Sequence, residues 1–163
     1  MLKIKGFTLM ELMIVVVIIG LIVIIALPAY QAEIRRSDAA VAQQEILKLA
    51  EQLERYKSRN FSYHGFDPKY LYDQLTPMNK VQIPLKGKKK YTINLYDTSE
   101  PTAKILLSSA GGLGQKWAII AISDDVKNYS FLMNSSGVRC KNKTKANITF
   151  VGCGNMSTGM ESW

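Results

Sequence analysis

Between Leu12 and Leu27 every residue is apolar or glycine, and no comparable run follows. A helix crossing a bilayer needs about 20 mostly apolar residues. Phe7–Leu27 supplies 21, counting Thr8, Glu11 and Gly20. Further on the pattern becomes one-sided. Ala39, Ala42, Ile46, Leu49, Leu53 and Tyr56 recur at spacings of three and four, while Gln43, Gln44, Lys48, Glu51, Gln52 and Arg55 fill the other side. That periodicity predicts an amphipathic helix. Pro28 stands between the two stretches. A proline inside a helix removes one hydrogen bond and bends the axis, and need not end it. The next stop signals are Ser58–Asn60 and Gly65. The pattern therefore predicts one helix over Thr8–Lys57, about 75 Å long at 1.5 Å per residue.

Residues 60–90 read as loop, with Pro68, Pro77, Pro84, Gly65 and Gly87 and a short helical turn around "PKYLYDQL". Phe61, Tyr63, Phe66, Tyr70 and Tyr72 there are assigned to covering the helix or a sheet edge. After Lys90 the period changes again. "YTINLY" (91–96), "AKILLS" (103–108), "KWAIIAI" (116–122) and "YSFLM" (129–133) read as strands separated by turns with Pro101, Gly111, Gly112, Gly114 or Asp124–Asp125. Short links favour an antiparallel meander whose apolar face covers the helix stripe. "ITFVG" (148–152) is a candidate edge strand.

The 163 residues suffice for one domain plus an appendage. The net charge of +8 includes Lys3 and Lys5, placed before the apolar run. A basic balance of this size is compatible with nucleic acid, an anionic membrane or a plain soluble surface. Two cysteines, Cys140 and Cys153, with one distant histidine, His64, cannot make a zinc site. Outside the cytoplasm they read as a disulfide, contributing about 3 kcal/mol for so short a loop.

Three readings of the first 30 residues compete. A removable secretion signal fits poorly, because its apolar core is normally 7–15 residues. An uncut anchor explains the length and the flanking lysines, which hold the N-terminus in the cytoplasm. It leaves Glu11 unexplained, since a carboxylate well inside a span costs on the order of 3 kcal/mol. Cutting between Gly6 and Phe7 supplies a partner. It creates an α-amino group on Phe7, one helical turn from Glu11, in its own chain or a neighbour's.

"KGFTLMELMIVVVIIGLIVIIALPAYQ" resembles the N-terminus of type IV prepilins and the related pseudopilins. The likeness lies in the short basic leader with Gly6, then Phe7, Thr8, Leu9, Glu11, the apolar stretch and Pro28. "LAEQLERYKSRNFSY" and "LMNSSGVRC" resemble the helix end and last long strand of PilE-like minor pilins. The resemblance implies an α+β pilin fold: a long N-terminal helix packed on an antiparallel β-sheet, with a C-terminal region closed by a Cys140–Cys153 disulfide. It implies a cleaved leader (1–6), a hydrophobic transmembrane and assembly segment (7–29) kinked at Pro28, and a globular pilin domain (30–163). Prepilin peptidase would cut after Gly6 and N-methylate Phe7, and Glu11 would serve assembly with other pilin subunits on an inner-membrane platform. The chain would sit in the inner membrane as a single pass, then in an extracellular pilus. Lys48 departs from the pattern, standing where many major pilins have a second helix proline.

No enzyme or cofactor emerges. His64 is in a loop without a nucleophile to serve. "GGLG" (111–114) lacks the Lys-Ser/Thr of a phosphate loop and reads as a turn. Asp124–Asp125 has too few ligands for calcium. "NKT" and "NIT" match glycosylation acceptors and carry little weight. The basic clusters remain: Lys86, Lys88, Lys89 and Lys90 in "KGKKK", and Arg139, Lys141, Lys143 and Lys145 in "RCKNKTK". If the two loops are neighbours they could grip DNA phosphates, although aromatic residues that stack on bases are mostly missing from them. The reading is a structural, minor-pilin-like pilus subunit, with a DNA-binding competence pilin or a type II secretion pseudopilin as alternatives.

Overall fold

The computed structural model describes residues 7–100 and 104–163. The predicted leader with Gly6, Lys3 and Lys5, the turn residue Pro101, and Ala103 of one predicted strand lie outside the described residues. Helix α1 spans Leu9–Asn60, three residues further at its C-terminal end than the periodicity indicates. Asn60 itself extends it, donating its side-chain amide to the Tyr56 carbonyl. Two compact units divide the chain, Met1–Ser37 and Asp38–Trp163.

In the first unit the helix begins with Thr8, whose hydroxyl accepts the Glu11 N–H at 3.2 Å. A threonine oxygen at this position satisfies one of the amides that a helix start leaves unpaired. The apolar side chains from Phe7 to Leu27 are solvent-exposed in the isolated chain, and the helix is long and apolar enough to cross a membrane. Pro28 lies inside the helix.

The second unit holds its own core. Ala42, Ile46, Leu49, Ala50 and Leu53 of α1 are buried; of the predicted stripe, Ala39 and Tyr56 are only half-buried at its ends, and Ala50 is added. They pack with Val81, Tyr91, Ile93, Leu95, Ile119, Ala121 and Phe131. The sheet is antiparallel, in the order β1 (Val81–Ile83), β2 (Tyr91–Asp97), β4 (Trp117–Ser123), β5 (Ser130–Asn134), β6 (Arg139–Asn142), β7 (Glu161–Ser162). Strand β3 (Ile105–Leu106) pairs with the end of β2. The meander is as expected over β2, β4 and β5, but the sheet has two covered faces. Ala118, Ile120, Leu132, Cys140 and Cys153 form a second buried cluster with Tyr96, Ile148 and Phe150. This explains why β4 reads as continuous apolar sequence, since a strand covered on both faces need not alternate.

Several local expectations are corrected. Residues 148–152 are not a strand: Thr149 N–H bonds back to the Gly152 carbonyl, and Phe150 packs on Tyr96 at 5.1 Å between ring centroids. The stretch covers the sheet face in place of extending its edge. β1, β6 and β7 are additional strands. Among its described residues, "AKILLS" contributes only Ile105–Leu106. Tyr63, Phe66 and Tyr72 are buried, but Phe61 is 90% exposed and covers nothing. "PKYLY" is a 3-10 turn, with Asp67 as its cap.

Polar side chains tie the layers. Glu54 of α1 accepts from the Tyr63 hydroxyl at 2.9 Å and the Trp117 indole at 3.1 Å. Asp97 is 3% exposed and accepts from the Ser99 and Gly114 backbone N–H groups. Burial pushes its carboxyl up, but these bonds, the Ser99 hydroxyl and the charge of His64 together hold it below its ordinary value. The loop comes so close that a Cβ on Gly112 would meet the Asp97 carboxylate.

Candidate nucleic-acid interface

The strand register decides where the basic loops go. Ile83 pairs with Tyr91, Tyr91 with Ser123, and Ser130 with Asn142. Residues 84–90 therefore leave the same end of the sheet as the β4–β5 turn at 124–129 and the chain after Asn142. The Asp124 N–H bonds to the Lys90 carbonyl at 2.8 Å, fastening the first two loops together. From β2 to β6 is three strand spacings, about 14 Å. The two lysine loops are thus neighbours, with the β4–β5 turn between them.

That turn adds two residues the sequence reading did not select. Lys127 is exposed at its tip. Tyr129 contacts two lysines, with the Lys141 and Lys143 ammonium groups 4.8 and 5.0 Å from its ring centre. The aromatic residue that seemed absent from the basic loops comes from the turn between them. Its hydroxyl donates to Glu161 at 2.7 Å, and Lys141 approaches the same carboxylate at 3.2 Å. The Tyr129 hydroxyl, then Lys141, holds the Glu161 carboxyl below its ordinary range, while that hydrogen bond raises the tyrosine.

Not every lysine is equally available. Lys89 pairs with Asp124 at 3.4 Å and Lys90 with Asp38 at 3.4 Å. Lys86, Lys88, Lys127, Lys143 and Lys145 are exposed and make no ion pair among the described residues. Arg139 is set apart. It opens β6 opposite Met133, so the strand carries it away from Lys143 and Lys145. The result is a lysine-rich sheet end with one tyrosine ring, suited to phosphate contacts by point charge.

The remaining predicted residues lie elsewhere. Cys140 and Cys153 are disulfide-bonded with Cα atoms 5.8 Å apart, and the Asn142 amide donates to the Cys153 carbonyl at 2.9 Å. The bond thus closes the segment that caps the second sheet face and holds β6, which ends in the basic loop. Glu11 and Phe7 are exposed in the first unit. Lys48 stands over the Tyr72 ring at 4.8 Å. His64 is exposed.

Comparison with known proteins bears on both units. The family described as "Type IV minor pilin ComP, DNA uptake sequence receptor" matches residues 28–111, just over half of the chain, and the "Prokaryotic N-terminal methylation motif" matches residues 1–27. The type IV major pilin protein PilE of Neisseria gonorrhoeae is 42% identical over 65 residues, which is 40% of this chain and 36% of that protein. Fimbrial protein EcpC of Eikenella corrodens is 60% identical over 38 residues, 23% of this chain and 25% of its own length. The type II secretion system core protein G of Pseudomonas aeruginosa is 38% identical over 59 residues, 36% of this chain and 42% of that protein. The chain therefore matches only between a quarter and about two-fifths of the length of these relatives. No solved structure matches.

Proposed function

The chain belongs to the family of the type IV minor pilin ComP, and from that premise we propose that it is the DNA-contacting subunit of a type IV pilus. The observation that carries this is the convergence of Lys86, Lys88, Lys127, Lys143 and Lys145 on one end of the sheet. Each exposed ammonium can neutralise a backbone phosphate and release a condensed counterion, an interaction without sequence preference. Lys89, Lys90 and Lys141 stand behind them, paired with acids and fixing the loops. As a pilin the protein is structural and not an enzyme.

The N-terminal segment would bring that surface to the filament. A prepilin peptidase cuts between Gly6 and Phe7 and methylates the new amine. Before assembly the subunit is a single-pass protein of the inner membrane with its N-terminus in the cytoplasm, as Lys3 and Lys5 favour. On an inner-membrane platform it joins other pilin subunits, and its exposed apolar helix surface is buried against theirs. Glu11 answers the positive charge of an N-terminal amine in that low-dielectric bundle. Pro28 bends the helix between its two jobs. The filament then presents the domain outside the cell.

The pseudopilin alternative shares this N-terminal segment, but a family match extending to residue 111 places the globular part with the minor pilins. DNA contact is tested by fluorescence anisotropy with a labelled duplex. The protein and a variant with Lys86, Lys88, Lys127, Lys143 and Lys145 changed to glutamine are compared at moderate salt. The variant should lose at least about tenfold in affinity. Equal binding by the two, or no binding by either, removes the proposal.

A further inference from the structure

The lysine end of the sheet carries a feature that DNA does not require. Leu85, beside Lys86, is 54% exposed, and Val126, beside Lys127, is 74% exposed. Leu85 is in the loop that holds Lys86 and Lys88, and Val126 is in the turn that holds Lys127. Apolar tips set among lysines match an anionic lipid surface, where ammonium groups meet headgroup phosphates and the side chains between them enter the acyl boundary. A DNA duplex offers the phosphates but no apolar layer beneath them.

Connectivity points the same way. Asp38, the first residue of the second unit, is ion-paired with Lys90 at this same end. The apolar run closes at Leu27, eleven residues earlier. Counted along α1, those residues amount to about 16 Å. While the segment is in the bilayer, this short length of chain limits how far Asp38 can be from the headgroups.

We propose that the lysine end of the sheet docks on anionic phospholipid before assembly, and that this docking keeps its DNA surface covered until the subunit leaves the membrane. The second clause rests on the DNA reading above; the docking itself does not. Lipid phosphate and DNA phosphate compete for Lys86, Lys88, Lys127, Lys143 and Lys145, while Leu85 and Val126 favour the lipid. Extraction into a filament removes the lipid and frees the five ammonium groups together.

The test uses the full chain in nanodiscs of phosphatidylcholine alone or mixed with phosphatidylglycerol. Lysine acylation rates are read residue by residue by mass spectrometry. The five lysines should react about fivefold more slowly in the anionic discs, and high salt should restore their rates. Lys57, Lys104 and Lys116, toward the other end of the domain, should react alike in both. Leu85→Asp with Val126→Asp changes only exposed side chains and should restore fast acylation in anionic discs. Equal rates for the five lysines in the two lipids overturn the docking. Duplex binding measured in the same discs should be about fivefold weaker with phosphatidylglycerol, and equal binding overturns the covering. If the five lysines are shielded but no duplex binds in either disc or in detergent, the docking stands and the DNA reading fails.

Discussion

Two carboxylates show how much a single residue's setting decides. Glu11 lies in the first turn of α1, three residues after the capping Thr8. A Thr-x-x-Glu spacing is also that of a helix start in which both side chains serve the cap. The spacing admits a capping role beside the proposed charge-pairing role, and substitution can separate them. Glu11→Val should leave membrane insertion intact and impair incorporation into filaments, measured by immunoblot of sheared pili. Glu11→Gln keeps the side-chain oxygen and removes the charge. It should impair incorporation as well; normal incorporation of the glutamine variant would reduce Glu11 to a cap. Asp97 works by hydrogen bonding in a buried site. Asp97→Ala would leave the Gly114 and Ser99 N–H groups without their acceptor, costing about 3 kcal/mol in urea unfolding of the Asp38–Trp163 domain. Because the folded carboxyl lies below its unfolded value, its stabilisation is present above about pH 4 and is lost as pH falls through the folded value. Unfolding midpoints of the wild-type domain should drop there, and those of Asp97→Asn should be flatter.

At the scale of elements, the helix was the most legible part of the chain. Its stripe from Ala42 to Leu53 is buried as the spacing requires, because a period of 3–4 has few other uses. The central strands were legible for a similar reason. The short ones were not. Val81–Ile83 is flanked by prolines and lysines, and it becomes a strand only because β2 offers it an edge. Arg139–Asn142 reads as a charged loop until β5 pairs with it. Conversely, "ITFVG" has strand composition, but Phe150 packs on Tyr96 over the second sheet face and the stretch turns back on itself through Thr149 and Gly152. The basic site was half legible. Its lysines could be read off directly, whereas their meeting depends on strand register, which also brings in Lys127 and Tyr129. Had the turn after "KWAIIAI" been taken as the meander's link between the two loops, Lys127 would have been found. The disulfide links this layer to the site. Cys140→Ser with Cys153→Ser should cost about 3 kcal/mol in unfolding. It should also weaken duplex binding more than any loss of folded fraction explains, because β6 ends in Lys143 and Lys145. Unchanged binding would show that β6 holds its loop without the bond.

For the whole molecule, one chain carries two unlike surfaces. The helix is long and apolar enough to cross a membrane, and the exposed lysine end is suited to anionic partners. On the proposed reading, the helix surface is buried again as the subunit leaves the membrane, and polymerisation and DNA display are successive steps of one process. DNA contact by the lysine end is the central proposal, and the salt dependence of duplex binding tests it most directly. With five phosphate contacts, the logarithm of the association constant should fall against the logarithm of salt concentration with a slope of about −4.5. Changing Lys86, Lys88, Lys127, Lys143 and Lys145 to glutamine should bring that slope close to zero. A steep slope that survives those five substitutions would place DNA on some other part of the protein and contradict the account.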